Sequence, residues 1–211
     1  KGFAIAEYQG NQGIIKPNGN WLITPYKDSI QIIGKRIFYR QGTEYGVYDL
    51  FEQQIFRSID PITPYQNVFS ERTDDGYKVY DFDANQFSPN TYDSVYQITP
   101  DFLVLKSKNK FELLQISTTQ TFKLDSKTQQ VRGYNEGLIS VMMENEWGFV
   151  SEQGLLTIAN RYQQAKDFSQ GLSAIRINGN WGFINTDDQI TIQPTFQFVE
   201  SFKNGLSTVK T

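Results

Sequence analysis

Paired aspartates are the residues of this chain best suited to catalysis. They are Asp74 with Asp75, Asp81 with Asp83, and Asp187 with Asp188. Two carboxylates roughly 5–10 Å apart can act as the acid and base of a glycoside hydrolase. Each pair falls where a polar turn is expected, and aspartate is favoured in turns because its side chain hydrogen-bonds the local backbone. We therefore interpret all three pairs as turn residues and assign no catalytic residue.

The segment Asp81–Asn85 also has the spacing that begins a calcium-binding loop. Such a loop requires glycine at its sixth position and glutamate at its twelfth, where this chain has Gln86 and Tyr92. Because both features are missing, we predict a turn here and no metal site.

Two missing residue types remove further classes of chemistry. The 211 residues include no histidine and no cysteine. Ser-His-Asp catalysis, thiolate catalysis, disulfides and metal sites built from these residues are therefore excluded. No glycine-rich phosphate-binding pattern is present either. We expect a protein that is not an enzyme and has no cofactor.

The charge and hydropathy of the sequence limit the classes of partner that it can bind. The net charge is −3 and the basic residues are scattered, so no electrostatic footprint for nucleic acid or an anionic membrane is predicted. The densest basic run, Lys106–Lys110, is expected to form a solvated hairpin tip. No apolar run reaches the roughly 18–20 residues of a membrane span. Without a signal peptide, the sequence is expected to be a mature product or a fragment.

A fixed repeat organises the sequence. Trp181-Gly182 follows Trp147-Gly148 by 34 residues (181 − 147), and the segments around them match position for position. Gly137, Gly171 and Gly205 keep the same step. A constant period of this length indicates an array of one supersecondary unit.

Weaker copies can be followed towards the N-terminus. Aligned on the aromatic residue of the Trp-Gly step, the six copies have as anchors Gln12, Tyr45, Tyr77, Phe111, Trp147 and Trp181. A seventh copy begins at residues 205–210. We therefore predict a single repeat domain over residues 1–211.

One unit reads as a three-stranded antiparallel meander followed by a return segment. In the last complete copy, Leu172–Ile177 and the strand containing Trp181 flank Asn178-Gly179, a dipeptide that favours a tight hairpin. A third strand is expected to end at Pro194, because proline cannot donate a hydrogen bond to a β-ladder. The return segment is expected to be an extended or irregular link, or a single 3₁₀ turn.

The predicted fold class is therefore all-β, built from tandem units of about 34 residues. Tight hairpin turns argue against a parallel β-helix. The units can close around an axis like propeller blades or continue as an open β-superhelix. We favour the propeller-like arrangement.

The repeat resembles a known family. The segments "EGLISVMMENEWGFVSEQG" and "QGLSAIRINGNWGFINTDDQITIQPTF" are similar to the WG-containing (KWG) repeat of bacterial proteins. The resemblance is specific over residues 137–210, partial over 2–25 and weak between. It implies a bacterial origin and an interaction or structural role, and it supplies no catalytic residues.

The position of an aromatic residue in the repeat indicates whether it packs between units or contributes to a binding surface. Trp147 and Trp181 recur at one repeat position, which predicts packing between units, and Trp21 is expected to be packed as well. A binding surface would use residues that differ between copies. The divergent segments Asp60–Phe69 and Gln86–Phe102, rich in proline and tyrosine, are hypothesised to be contact loops, with ordinary repeat decay as the alternative.

These observations predict a non-catalytic protein-binding or structural module, an accessory subunit of a bacterial envelope assembly. The expected location is periplasmic or on the outer surface, with the cytoplasm as the alternative. The expected partner is another protein. A carbohydrate-binding module that uses exposed aromatic rings is the alternative, followed by a carboxylate-dependent glycosidase. The sequence assigns no binding residues.

Overall fold

The computed structural model describes residues 2–211. It consists of β-strands joined by turns and irregular segments. These residues form 24 β-strands and no helix, and the sheets have three or four antiparallel strands apart from one two-stranded sheet. The all-β prediction is confirmed. The chain forms two compact units, one of residues up to Asp93 with Ile116–Thr119, and one of Ser94–Gln115 with Gln120–Thr211.

The first unit contains three sheets. The first is formed by β1 (Ala4–Tyr8), β2 (Asn11–Ile15) and β3 (Trp21–Lys27). The second is formed by β4 (Ser29–Ile33), β5 (Arg36–Gln41), β6 (Glu44–Asp49) and β7 (Gln54–Ser58). The third is formed by β8 (Ile62–Pro64), β9 (Val68–Thr73) and β10 (Gly76–Asp81).

The second unit contains three four-stranded sheets and one of two strands. The fourth sheet consists of β11 (Ser94–Thr99), β12 (Phe102–Ser107), β13 (Lys110–Gln115) and β14 (Gln120–Lys123). The fifth consists of β15 (Thr128–Asn135), β16 (Leu138–Met143), β17 (Glu146–Ser151) and β18 (Leu156–Tyr162). The sixth consists of β19 (Gln164–Ala165), β20 (Leu172–Ile177), β21 (Asn180–Asn185) and β22 (Ile190–Phe196), and the last of β23 (Phe198–Val199) and β24 (Val209–Lys210).

All six anchor residues occupy one structural position. Each is the second residue of its strand, in β2, β6, β10, β13, β17 and β21 respectively. The copies that the sequence links only weakly are therefore in register with the two clear copies.

The glycine of the Trp-Gly step has a steric cause. Trp147 pairs with Tyr162 and Phe149 pairs with Ile158, so β18 has additional residues opposite Gly148 and bulges. The bulged strand crosses so closely that a Cβ atom at Gly148 would lie 2.5 Å from Ile158 O. The equivalent distances are also 2.5 Å from Gly182 to Ile192 O and from Gly13 to Ile23 O. Any side chain here would displace the third strand.

The same bulge corrects the prediction for Pro194. The third strand does not end there, because β22 continues to Phe196. Pro194 lies in the bulge over Gly182, and Pro25 lies at the equivalent place in β3. A bulged residue makes no ladder hydrogen bond, so proline is accommodated without losing one.

The return segment takes the extended form among the predicted alternatives, and residues 163–171 contain no 3₁₀ turn. Residues 164–165 form β19, which pairs with β20 of the next copy, and β23 pairs with β24 in the same way. A sheet of the second unit therefore combines a return strand from one copy with the meander of the next. Neighbouring copies are interlocked through main-chain hydrogen bonds.

Alternating side chains join one sheet to the next. Ile184 packs towards Trp147 and Phe149 in the fifth sheet, whereas Phe183 packs towards Val199 and Phe202 on the other side. The Phe149–Phe168 and Phe183–Phe202 ring pairs repeat the same edge-to-face geometry, both with centroids 4.9 Å apart. Packing was therefore predicted correctly for Trp147, which is buried, and Trp181 is half-buried against the next cluster, which contains Phe183 and Val199.

The packing prediction for Trp21 is wrong. Its side chain is 39% exposed, and the residues at the same repeat position, Leu156 and Ile190, are exposed as well. The bulge turns both Leu22 and Ile23 inwards, so the residue before them is left on the outside. Simple alternation along the strand could not reveal this.

One side chain in each of three successive sheets reaches the main chain of the next sheet. Tyr96 Oη donates to Val131 O (3.1 Å), Arg132 Nη1 to Ala165 O (3.2 Å) and Lys166 Nζ to Val199 O (2.8 Å). Arg132 also lies over the Trp147 ring, 3.7 Å from its centroid. These donors fix the position of each return strand.

Replacing the Trp-Gly glycine should cost far more than replacing a turn glycine. Gly182→Ala places a methyl group against Ile192 O, so we expect the free energy of unfolding to fall by about 2 kcal/mol or more. Gly179→Asn is the matched control, because this turn position has open space and asparagine tolerates its positive φ. That control should lose less than about 1 kcal/mol. Urea unfolding measures both, and equal losses would refute the steric explanation.

Candidate binding surface

The paired aspartates lie in turns, as predicted. Asp81 Oδ1 accepts the N–H groups of Asp83 and Asn85 at 2.9 and 2.8 Å. Asp83, which follows β10, forms an ion pair with Arg36 of β5 at 2.6 Å. Within residues 2–211, no three acidic side chains come together in a way that could hold a metal ion.

The remaining two pairs are also turn residues. Asp188 pairs with Arg161 (2.7 Å) and accepts a hydrogen bond from the Tyr162 hydroxyl, so it links two sheets. Asp74 and Asp75 are exposed in the turn between β9 and β10. The contacts of Asp188 therefore have a local structural role.

The divergent middle segments keep their tyrosines against the sheets. Tyr92 is buried and exchanges two main-chain hydrogen bonds with Tyr77 (2.7 and 2.8 Å). Tyr65 and Tyr96 are half-buried. None of these three rings is fully exposed, and the contact-loop hypothesis stays a prediction.

Exposed aromatic rings cluster on the first two copies. Two clefts adjoin there, with volumes of about 540 and 280 Å³, and both are lined by Leu22 and Glu52. The larger cleft is completed by Phe3, Lys16, Pro17, Asn18, Leu50 and Phe51. The smaller is completed by Trp21, Ile23, Thr24, Tyr26 and Tyr48. We call these residues together the aromatic surface.

Phe51 is the most exposed of the large apolar side chains, at 90%. The turn between β6 and β7 holds it outwards, because Asp49 Oδ1 accepts the N–H groups of Phe51 (2.8 Å) and Gln53 (2.9 Å). Glu52 completes this turn with a positive φ of 68°. An aromatic ring is thus presented to solvent on a hydrogen-bonded support.

The opposite wall of the larger cleft is the turn between β2 and β3. Lys16 N donates to Asn20 O (2.8 Å), and Gly19 N donates to Lys16 O (3.0 Å). The adjoining strand β3 presents Trp21 and Tyr26 to solvent while Leu22 and Ile23 face the core. Both walls are therefore set by main-chain structure.

A lysine lies beneath the surface. Lys27 is only 2% exposed, and its Nζ is 3.6 Å from the Tyr39 ring centroid and 4.6 Å from that of Tyr26. The ammonium group donates to Gln41 Oε1 (3.0 Å). Burial lowers the pKa of Lys27 below its ordinary value. Cation–π contacts offset part of this desolvation.

Lys27 replaces an aromatic ring of the repeat. It follows its anchor Gln12 by the same 15 residues that separate Tyr162 from Trp147 (162 − 147 = 27 − 12). In both copies these two residues are paired in the ladder. The first copy has therefore exchanged a Trp–Tyr pair for a Gln–Lys pair. The loss of tryptophan was visible in the sequence, and the same offset would have located Lys27.

Tyr39 and Tyr48 complete the floor of the surface. Their rings stack with centroids 4.8 Å apart. The Tyr39 hydroxyl donates to Glu44 Oε1 (2.8 Å) and accepts from Gln54 Nε2 (2.9 Å). Burial and the neighbouring Glu44 carboxylate raise the pKa of Tyr39. This network orders the rings that support Tyr26.

The match to a known family covers the C-terminal part of the chain. A family model described as "WG containing repeat" matches residues 147–181 and 181–211. Residues 147–211 are therefore similar to the WG-containing repeat. The predicted resemblance is confirmed over these residues. In this chain the strand that crosses Gly148 and Gly182 leaves no room for a side chain at either position.

Solved structures with similar chain paths share little sequence. Hsv2 from Kluyveromyces lactis has a TM-score of 0.41 at 10% identity, over 87% of this chain and 71% of that one. PorZ, described as an essential bacterial surface component of the type-IX secretion system of Porphyromonas gingivalis, has a TM-score of 0.35 at 11% identity, over 99% and 36%. The extracellular domain of BT3049 from B. thetaiotaomicron has 0.33 at 10%, over 94% and 37%. A comparison with curated proteins found no match.

The described residues include no helix long and apolar enough to cross a bilayer.

The tyrosine beneath the surface should make stability sensitive to alkaline pH. Because the pKa of Tyr39 is raised in the folded state, its contribution is complete below the unfolded pKa of about 10 and is lost as the pH rises above it. The Tyr39→Phe variant should therefore lose less stability than the wild type between about pH 9 and about pH 11. At pH 7 it should be less stable by about 1 kcal/mol, because two hydrogen bonds are removed.

Chemical denaturation at each pH measures both effects. Tyr8→Phe changes an exposed ring and is the matched control, which should behave like the wild type. Identical pH profiles for the wild type and Tyr39→Phe would show that Tyr39 does not carry the effect.

Proposed function

We propose that the chain is a non-catalytic protein-binding repeat module whose partner docks on the aromatic surface. The observation that carries the proposal is Phe51, 90% exposed beside a cleft of about 540 Å³. Exposed apolar patches rimmed by polar groups are typical of interaction sites, because covering them removes apolar area from water. Aromatic side chains commonly dominate the binding free energy of such sites.

The lining of the larger cleft favours a protein partner. Phe3, Pro17, Leu22 and Leu50 offer apolar walls, while Lys16 and Glu52 stand at the rim. Side chains such as leucine or phenylalanine from a partner fit a cleft of this kind. Sugars instead need a dense set of hydrogen-bonding groups around an aromatic platform.

The smaller cleft is the reason to retain a glycan as the second candidate. Trp21 and Tyr26 are exposed rings on one strand, and Thr24 and Glu52 lie between and beside them. Sugar rings stack on such rings and bond to such neighbours. A glycan would therefore depend on Trp21 more than on Phe51.

The wider role that we propose is that of an accessory subunit of a bacterial envelope assembly. The support is the resemblance to the WG-containing repeat of bacterial proteins, together with a repeat architecture that offers extended surfaces to partners.

A photo-crosslinking amino acid at position 51 tests the proposal in cells that produce the protein. The matched control carries it at position 155, because Leu155 is also an exposed apolar side chain (69%) but lies outside the aromatic surface. We expect one protein to be cross-linked through position 51 and not through position 155. Equal capture at both positions, or none at position 51, would refute the surface as the docking site.

The captured protein is then purified and titrated against three variants. Phe51→Ala should weaken its binding by roughly 30-fold or more, corresponding to about 2 kcal/mol, whereas Leu155→Ala should not change it. Trp21→Ala separates the two candidates. Retention on polysaccharide that is lost in Trp21→Ala and kept in Phe51→Ala would replace the protein partner with a glycan.

A further inference from the structure

A third cavity, in the other unit, has several hydrogen-bond donors in its lining. Its volume is about 450 Å³, and it lies between the hairpin of β12 and β13 and the segment that enters β15. The lining residues are Lys106, Asn109, Phe111, Ser126, Lys127, Thr128, Gln129 and Glu144. Two of them are basic and one is acidic, so the cavity carries an excess of positive charge.

The cavity borders a position at which the repeat copies carry side chains of different size. Gln129 Oε1 accepts Asn145 N and Gln163 Oε1 accepts Gly179 N, both at 2.8 Å, and the two contacts are 34 residues apart (163 − 129). In this register Thr128 stands where the next copy has Tyr162, a fully buried ring. Thr128 carries a smaller side chain than Tyr162 at this aligned position and lines the cavity, whereas Leu124 lies opposite the anchor Phe111.

Thr128 is left with an unsatisfied hydroxyl group. The residue is only 3% exposed, and its Oγ1 has no hydrogen-bond partner within the described protein. A buried hydroxyl without a partner is destabilising, and native proteins normally satisfy such a group with protein, water or ligand. A ligand oxygen in the cavity would remove this deficit.

Lys106 forms no ion pair with a carboxylate among the described residues. Its Nζ lies 5.4 Å from the centroid of the Phe111 ring. The other lysine of the cavity, Lys127, pairs with Glu144 at 2.9 Å, which leaves Lys106 as the uncompensated charge. The Ser126 hydroxyl and the Asn109 amide add further donors to the lining.

We propose that this cavity binds an oxyanion, such as a phosphate or carboxylate group, between Lys106 and Thr128. Ammonium and hydroxyl groups are the donors that such anions prefer, and charge-assisted hydrogen bonds are the stronger kind. The site does not depend on the aromatic surface, and it uses residues at which the repeat copies differ.

The proposal is tested with inorganic phosphate and with acetate, each titrated into the protein at constant ionic strength set with sodium chloride. Amide chemical shifts from NMR report the position of binding. We expect a saturating response at residues 106 and 126–129 to at least one of the two probes, and comparison of the two shows which anion is preferred. A response to neither probe would refute the site. Chemical shifts that change with the chloride concentration and not with either probe would also refute it.

Three variants locate the site. Lys106→Met should weaken the responding probe by roughly 10-fold or more, and Thr128→Val, which keeps the shape but removes the hydroxyl, should weaken it several-fold. Lys110→Met is the matched control, because this exposed lysine lies on the same hairpin tip outside the lining. It should bind like the wild type, and equal losses in Lys106→Met and Lys110→Met would indicate non-specific charge attraction.

Thr128→Tyr offers an independent check, because it restores the residue type of the next copy and should fill the cavity. Its shifts should no longer respond to either probe. Unchanged saturation in this variant would place the anion elsewhere and overturn the proposal.

Discussion

In the first, fifth and sixth copies the third strand passes directly over the glycine of the second strand, and the packing of these copies depends on this close approach. At Gly13, Gly148 and Gly182 the crossing carbonyl occupies the place of a side chain. The bulge that allows the crossing sets which residues of the third strand face inwards. It also accommodates Pro25 and Pro194, whose missing N–H groups are not needed at a bulge. The glycine therefore determines the path of its neighbour strand as well as its own.

Interlocking between copies converts this local unit into a stable array. In the second unit the return strands β19 and β23 belong to the sheet of the following copy, so no copy closes its hydrogen bonding alone. Tyr96, Arg132 and Lys166 each donate to the main chain of the next sheet at this junction. The Phe149–Phe168 and Phe183–Phe202 pairs add the same apolar contact in successive layers. Nearest-neighbour contacts of this kind give repeat proteins most of their stability.

The copies depart from the repeat in two different ways at one buried position. The position held by the buried ring of Tyr162 is Lys27 in the first copy and Thr128 in the fourth. The first exchange places an ammonium group among tyrosines beneath the aromatic surface, and the second places a small hydroxyl side chain in the lining of a cavity that also contains Lys106. One position of the repeat thus has two different local chemistries within the same scaffold.

The amino-acid sequence by itself determined the all-β class, the 34-residue period and the six anchors, because a recurring pattern of glycine, tryptophan and turn residues reflects local backbone requirements. It also determined the tight hairpin at Asn178-Gly179, where both residues have positive φ. The tertiary structure alone decided that Trp21 is exposed and that β22 continues through Pro194, since both depend on a bulge that forms only when two strands meet. It alone placed Phe3, Leu22 and Phe51 around one cleft and left Thr128 without a partner. These properties arise from contacts between residues distant in sequence, and no pattern within a single strand encodes them.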